Sequence, residues 1–235
     1  MSIVLPRRWY TAGTNLDVWG DAGTYEAVPF ELLPPLPDTT KRDGSFEWLR
    51  AAPISPHGLD FGDEETGASD GDEAKALVHV RLGRIVTEAK ALGLTVPGAL
   101  VRFVDDADLH RRVPSCTACY LDVPAKLVEL PGVPGRLLRF MNDQQCSLLW
   151  YVHLLPDGTH SVVCAAPEID DAATGDTLED VSKPRDPVVC AESFEDFVQR
   201  FWLENTLWFA GQKRTPLSAE QQTYADDAKK ARASI

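Results

Sequence analysis

This 235-residue chain is short of the features that declare a function outright. No stretch approaches the ~18 uninterrupted apolar residues of a helical membrane span. The start, Met1-Ser2-Ile3-Val4-Leu5-Pro6-Arg7-Arg8, lacks the ~7-residue apolar region of a secretory leader. Cysteine is scarce and odd in number, five in all, with none at a framework spacing, which argues against a disulfide scaffold and suits a reducing compartment. Lys and Arg number 23 against 36 Asp and Glu, and no basic cluster offsets the repulsion of a phosphate backbone. The expectation is a soluble, cytoplasmic protein that binds neither membrane nor nucleic acid, its oligomeric state left open.

Signature motifs are missing too. There is no Walker phosphate loop, GxGxxG, HExxH or GxSxG. Gly132-Val133-Pro134-Gly135 is a proline-braced turn, and an EF-hand starting at Asp70 would need glycine where Lys75 stands. No cofactor is therefore expected. Cys116-Thr117-Ala118-Cys119 is a CxxC, but it follows Pro114 and leads into a predicted strand instead of opening a helix, where the dipole would activate a thiol. Strand alternation would put the two cysteines on opposite faces. A zinc site needs two further ligands, and Cys146, His153, His160, Cys164 and Cys190 offer no second tight pair. Cys146-Ser147-Leu148-Leu149 superficially matches the start of one cysteine-peptidase class, yet the histidines after it, His153 and His160, fall in the same predicted hairpin, and His153 has the opposite parity. These thiols read as structural, and no catalytic, cofactor or metal residue is assigned. The alternative is a small thiol enzyme or redox protein using Cys116, Cys119 or Cys146.

The charge that is present is concentrated. Asp60 to Glu73 holds seven acids and no base; Ala166 to Pro187 holds seven acids against Lys183 and Arg185. They contribute −7 and −5, hence −12 of the net −13, and the remainder is nearly neutral. Both segments read as solvated loops. Asp60, Asp63, Glu64 and Glu65 in the first, with Asp170, Asp171, Glu179 and Asp180 in the second, are candidates for steering a basic protein partner.

Residues 1–70 form an aromatic and Pro-rich extension expected to drape over the core as extended segments and turns. Trp9, Tyr10, Trp19, Tyr25, Phe30, Phe46, Trp48 and Phe61 are its aromatics. The spacing of Ala74, Leu77, Val78, Leu82, Ile85, Val86, Ala89 and Leu92 predicts a helix over 72–92, ended by Gly93. Short helical turns should follow Pro97 and span Asp105 to Arg112, stopped by Pro114. Strands are predicted at 118–122, 126–130, 136–141, 146–154, 160–165 and 188–190, with a hairpin turn at Pro156-Asp157-Gly158-Thr159. In 146–154 both alternating faces are largely apolar, which marks a central strand covered on each side. Ser193 N-caps a helix from Phe194 to about Phe209, with Gly211 as its terminator. A weaker alanine-rich helix, 219–232, is expected to be a loosely attached tail. Phe103, Phe140, Trp150, Phe197 and Phe201 are the expected core.

Leu92-Gly93-Leu94-Thr95-Val96-Pro97 leading to Phe103, then Leu138 to Tyr151, then Ser193 to Trp208 form a run that resembles the SUKH superfamily of fungal cell-wall-assembly regulators and many bacterial proteins. The resemblance covers residues 72–211, and it implies an α+β domain over 71–212. There an early helix and a Pro-led helix precede a twisted, mostly antiparallel sheet of about five to six strands, closed by a Phe-rich helix. Where many members carry Asn-Gly-Gly after the Pro-led helix, this chain has Asp105-Asp106-Ala107. The resemblance implies a non-enzymatic interaction module, with bacterial members looking like immunity proteins that neutralise toxins, and it supplies no catalytic residues. A cytoplasmic scaffold or dimerisation module is a further alternative.

Overall fold

The computed structural model describes residues 4–12, 25–37, 42–62, 71–165 and 187–232. The chain starts with β1 (Arg8–Ala12) and β2 (Tyr25–Pro29), an antiparallel pair, followed by a single helical turn, α1 (Glu47–Arg50). Three helices come next: α2 (Gly71–Ala91), α3 (Gly98–Asp105) and α4 (Ala107–His110). The main sheet is β3 (Tyr120–Leu121), β4 (Arg136–Asn142), β5 (Leu149–Leu154), β6 (His160–Ala165) and β7 (Val188–Ala191), antiparallel throughout and ordered as in sequence. Two helices, α5 (Phe194–Lys213) and α6 (Ala219–Arg232), end it. The fold is α+β with helices on both sides of a five-stranded sheet.

Strand β5 sits in the middle of that sheet and all six of its residues are buried, as two apolar faces require. One face, Trp150, Val152 and Leu154, enters the main core; the other, Leu149 and Tyr151, packs with Leu137, Val163 and Ala165 in a smaller one. The β4–β5 register slips between Arg139 and Met141, leaving Phe140 as the extra residue. This bulge turns both Phe140 and Met141 into the main core, where strict alternation would have sent one outward. Phe194, Phe197 and Phe201 on α5 meet them: Phe140 lies 5.1 Å from Phe194 and 5.4 Å from Phe197, and Trp150 lies 6.1 Å from Phe201, centroid to centroid. Phe103 adds a contact to Phe194 at 5.6 Å.

Several elements differ from the sequence expectation for local reasons. Segment 126–130 is not a strand; Pro124 and Pro131 bracket it and it keeps only the Val128–Leu137 bridge. The strand expected at 146–154 starts at Leu149, because Cys146 adopts φ 51° in a turn held by the Asp143 carboxylate, which accepts from the Ser147 and Leu148 N–H groups. The strand expected at 118–122 shrinks to Tyr120–Leu121 behind Ala118 at φ 49°. In α2 the buried stripe is Ala74, Val78, Leu82, Ile85 and Ala89, whereas Val86 on the helix and Leu92 just beyond its end face outward. Helix α5 runs through Gly211 and closes on Arg214 in the left-handed region, with Pro216 preventing continuation.

The extension and the tail are both tied in. Trp9, Phe46, Leu49, Leu59 and Phe61 are buried in the main core, while Trp19 lies outside the described residues. Arg7 bridges Val189, and the Val189 N–H donates to the Pro6 carbonyl, so the N-terminal segment covers the exposed edge of β7. Helix α6 is not loosely attached: Tyr224, Ala225 and Ala228 are buried, and the Tyr224 hydroxyl bonds into α5.

At its start α5 depends on a neutral imidazole. His160 Nε2 accepts the Phe194 N–H at 3.2 Å, one of the first-turn donors that no helix satisfies internally. His160 is half-buried; His110 is fully buried, its Nδ1 donating to the Leu59 carbonyl at 2.9 Å. Burial holds both imidazoles below the ordinary histidine range. The unfolded chain therefore takes up these protons first. Stability is complete above the ordinary histidine pKa of ~6.5 and drains as pH falls from there towards the depressed folded values. The melting temperature should drop between pH 7.5 and 5.5, and His160→Gln, which keeps an acceptor but does not titrate, should flatten that slope. Equal slopes for both proteins would contradict the assignment.

Candidate functional site

The CxxC region is a tight turn, neither a strand nor a helix start. Pro114 is pinned by the Gly58 bridge, the Ser115 hydroxyl accepts the Cys119 N–H at 2.9 Å, and the Cys116 N–H donates to Asn205 Oδ1 on α5 at 2.7 Å. Thr117 Oγ1 lies 3.2 Å from Cys119 Sγ, and the Tyr25 hydroxyl donates to Thr117 Oγ1 at 3.0 Å. Burial dominates the chemistry here: it pushes the Cys116 thiol up to about 12 and the Cys119 thiol up to about 11. An activated nucleophile needs the reverse shift. Cys146 Sγ contacts the Tyr120 hydroxyl at 3.3 Å, and burial raises the Cys164 and Cys190 thiols as well. Among the described residues no trio of His, Cys, Asp and Glu is arranged to hold a metal.

Two buried ionic groups were not foreseen. Asp122, with no exposed surface, accepts from Arg139 Nη2 at 2.9 Å and from Asn142 Nδ2 at 3.0 Å, with Arg81 Nη1 at 4.0 Å. Glu204 on α5 accepts from Trp9 Nε1 at 2.7 Å and from the Tyr224 hydroxyl at 2.8 Å. Arg200, one turn earlier, donates to the same hydroxyl at 2.7 Å and to the Pro34 carbonyl. Both groups staple elements together, and each carboxylate has several donors, which is what lets a charge remain buried.

Of the acidic candidates, Asp60 is exposed and its carboxylate accepts the Phe61 N–H. Asp63, Glu64, Glu65, Asp170, Asp171, Glu179 and Asp180 lie outside the described residues. Phe103, Phe140, Trp150, Phe197 and Phe201 are all buried.

Among the described residues two surface features have the shape of a site. One is a cavity of about 340 Å³ lined by Arg42, Glu192, Asp196 and Arg200, where Arg42 is already paired with Asp196. The other is a more apolar groove of about 220 Å³ between α5 and the segment after α1. Trp202, Thr206, Phe209 and Lys213, spaced 4, 3 and 4 residues apart, form one stripe of α5 and one wall. Residues Ala52 to His57 form the other, fixed by the Ser55 N–H to the Arg111 carbonyl and the Ser115 N–H to the His57 carbonyl, both 2.9 Å. Gly58 is required at this crossing, because a Cβ there would collide with the Arg111 carbonyl. The His57 ring stacks on Phe209 at 4.6 Å and 11°, and Trp48 meets Trp202 edge-on at 5.6 Å. Ile54 stands 47% exposed at the rim. The signal available in sequence was the second apolar stripe of α5 together with the rigid Pro53-Ile54-Ser55-Pro56.

Comparison with known proteins adds no analogy: no family model, curated protein or solved structure matches this chain.

With pKa values this high, almost no thiolate exists at neutral pH. At pH 7.5, Cys116 and Cys119 in native protein should react with a thiol reagent roughly 100-fold or more slowly than in denatured protein. Rapid native labelling of either would overturn the structural assignment.

Proposed function

We propose that the chain is a non-catalytic protein-interaction module of the immunity type, binding and neutralising a protein toxin. The observation that carries this reading is the groove along α5. It is apolar, built from rigid aromatic and proline residues, smaller than the ~300–1,000 Å³ typical of small-molecule sites, and lined by no activated nucleophile. Such a surface suits the anchor residues of a protein partner better than a substrate.

The resemblance to the SUKH superfamily supports the same reading through the order of elements: α2, the Pro97-led α3, the antiparallel sheet, then α5 with its phenylalanines. The thiol-enzyme alternative is weakened by the direction in which burial moves Cys116 and Cys119. Long-range attraction of a basic partner is consistent with the net charge of −13. Among the described residues that steering set is represented by Asp60 alone.

Expressed together with the product of an adjacent gene, the chain is expected to form a stoichiometric complex in sedimentation and to suppress that product's toxicity. Separate sedimentation of the two proteins with toxicity unchanged would contradict the reading.

A further inference from the structure

The geometry points to a specific occupant for the groove: an acidic segment of a protein partner that inserts one aliphatic or aromatic side chain beside Phe209. This inference rests on the interaction-module reading and concerns one local acidic segment of a partner whose overall charge that reading takes as basic.

Size comes first. A space of about 220 Å³ accommodates a single large side chain and not a nucleotide or other cofactor. Hydrogen bonding comes next. Thr206 Oγ1 already donates to the Trp202 carbonyl at 2.7 Å, and Ser55 Oγ accepts the His57 N–H at 3.1 Å. Pro53, Pro56 and Pro114 carry no N–H. The walls therefore offer little for an added strand, and recognition falls to an inserted apolar group.

Charge then selects what surrounds that group. Among the described lining residues Arg112 and Lys213 are cationic, and no Asp or Glu is present. Arg111 and Arg214, the exposed chain neighbours of these two, extend the same sign. This is a local inversion on a chain of net charge −13. Lys213 Nζ sits 5.8 Å from the Phe209 centroid, so a carboxylate next to an anchor on Phe209 would meet a cation held over the same ring. Arg112 is fixed in place by donating to the Ala52 carbonyl. Stacked His57–Phe209 and the Trp48–Trp202 contact hold the walls before any ligand arrives, which lowers the ordering cost of binding.

A phage-displayed library of random dodecapeptides, panned against the full chain, tests this. Enriched sequences should set Leu, Ile, Phe or Trp within a run of Asp and Glu. A synthetic peptide of that kind, followed by fluorescence anisotropy, should lose about 10-fold or more in affinity on Phe209→Ala and on Lys213→Glu, and weaken as salt rises. Lys213 is exposed, so Lys213→Glu should melt like the parent protein and separates lost contact from lost fold. Basic enriched sequences, no enrichment, or binding untouched by both substitutions would overturn the inference. So would tighter binding of an oligonucleotide, or self-association abolished by Phe209→Ala, which would make the occupant a nucleic acid or a second copy. A toxin complex that forms normally with both variants would sink this inference while leaving the module reading intact.

Discussion

Glu204 is the constraint on which the rest of the structure leans. A carboxylate in the middle of a helix, removed from water, costs several kcal/mol unless donors replace its hydration. Here the indole of Trp9 and the hydroxyl of Tyr224 supply them, from opposite ends of the chain. Arg200, one turn earlier on α5, shares that hydroxyl and reaches the Pro34 carbonyl. The first strand, the Pro-rich segment and the last helix thus converge on a single turn of α5. Remove the carboxylate and these segments lose the polar reason to be where they are.

Helix α5 consequently presents three surfaces with different tasks. Phe194, Phe197 and Phe201 fill the space above the bulged strand β4 and Trp150. Arg200 and Glu204 bind the extension and the tail. Trp202, Thr206, Phe209 and Lys213 face the groove. A helix anchored on two sides cannot roll, so the third side is held in a fixed register against residues 52–57. That rigidity makes the groove a preformed surface, and it links the fold to the proposed function.

What was legible in the sequence was local. Apolar residues at both parities of 146–154 announced a central strand, and the 3,4 spacing of 74–89 announced α2. The expected core phenylalanines and Trp150 were readable because bulk and periodicity agreed there. The rest depended on partners far along the chain. A Glu and an Arg one turn apart within α5 carry no sign of burial in the sequence, since nothing local reveals that Trp9 lies against them. Asp122 was silent for the same reason: Arg81, Arg139 and Asn142 reach it from other elements. The tail read as weakly held because its alanines are small, and the contact that holds it comes from Tyr224. The groove was half visible, its α5 stripe in the periodicity but its second wall only in the fold.

The most direct test of this account is a double-mutant cycle between Trp9→Phe and Tyr224→Phe, read from urea unfolding midpoints. Each change removes one donor to Glu204 and leaves an aromatic ring in place. Trp9→Phe also trims the buried indole and Tyr224→Phe also removes an acceptor of Arg200, and the cycle cancels such single-site effects. If one buried carboxylate couples the two ends of the chain, the losses should be non-additive by about 0.5–1 kcal/mol or more. Additivity within ~0.3 kcal/mol would mean that the extension and the tail are held independently, and that Glu204 does not organise the fold.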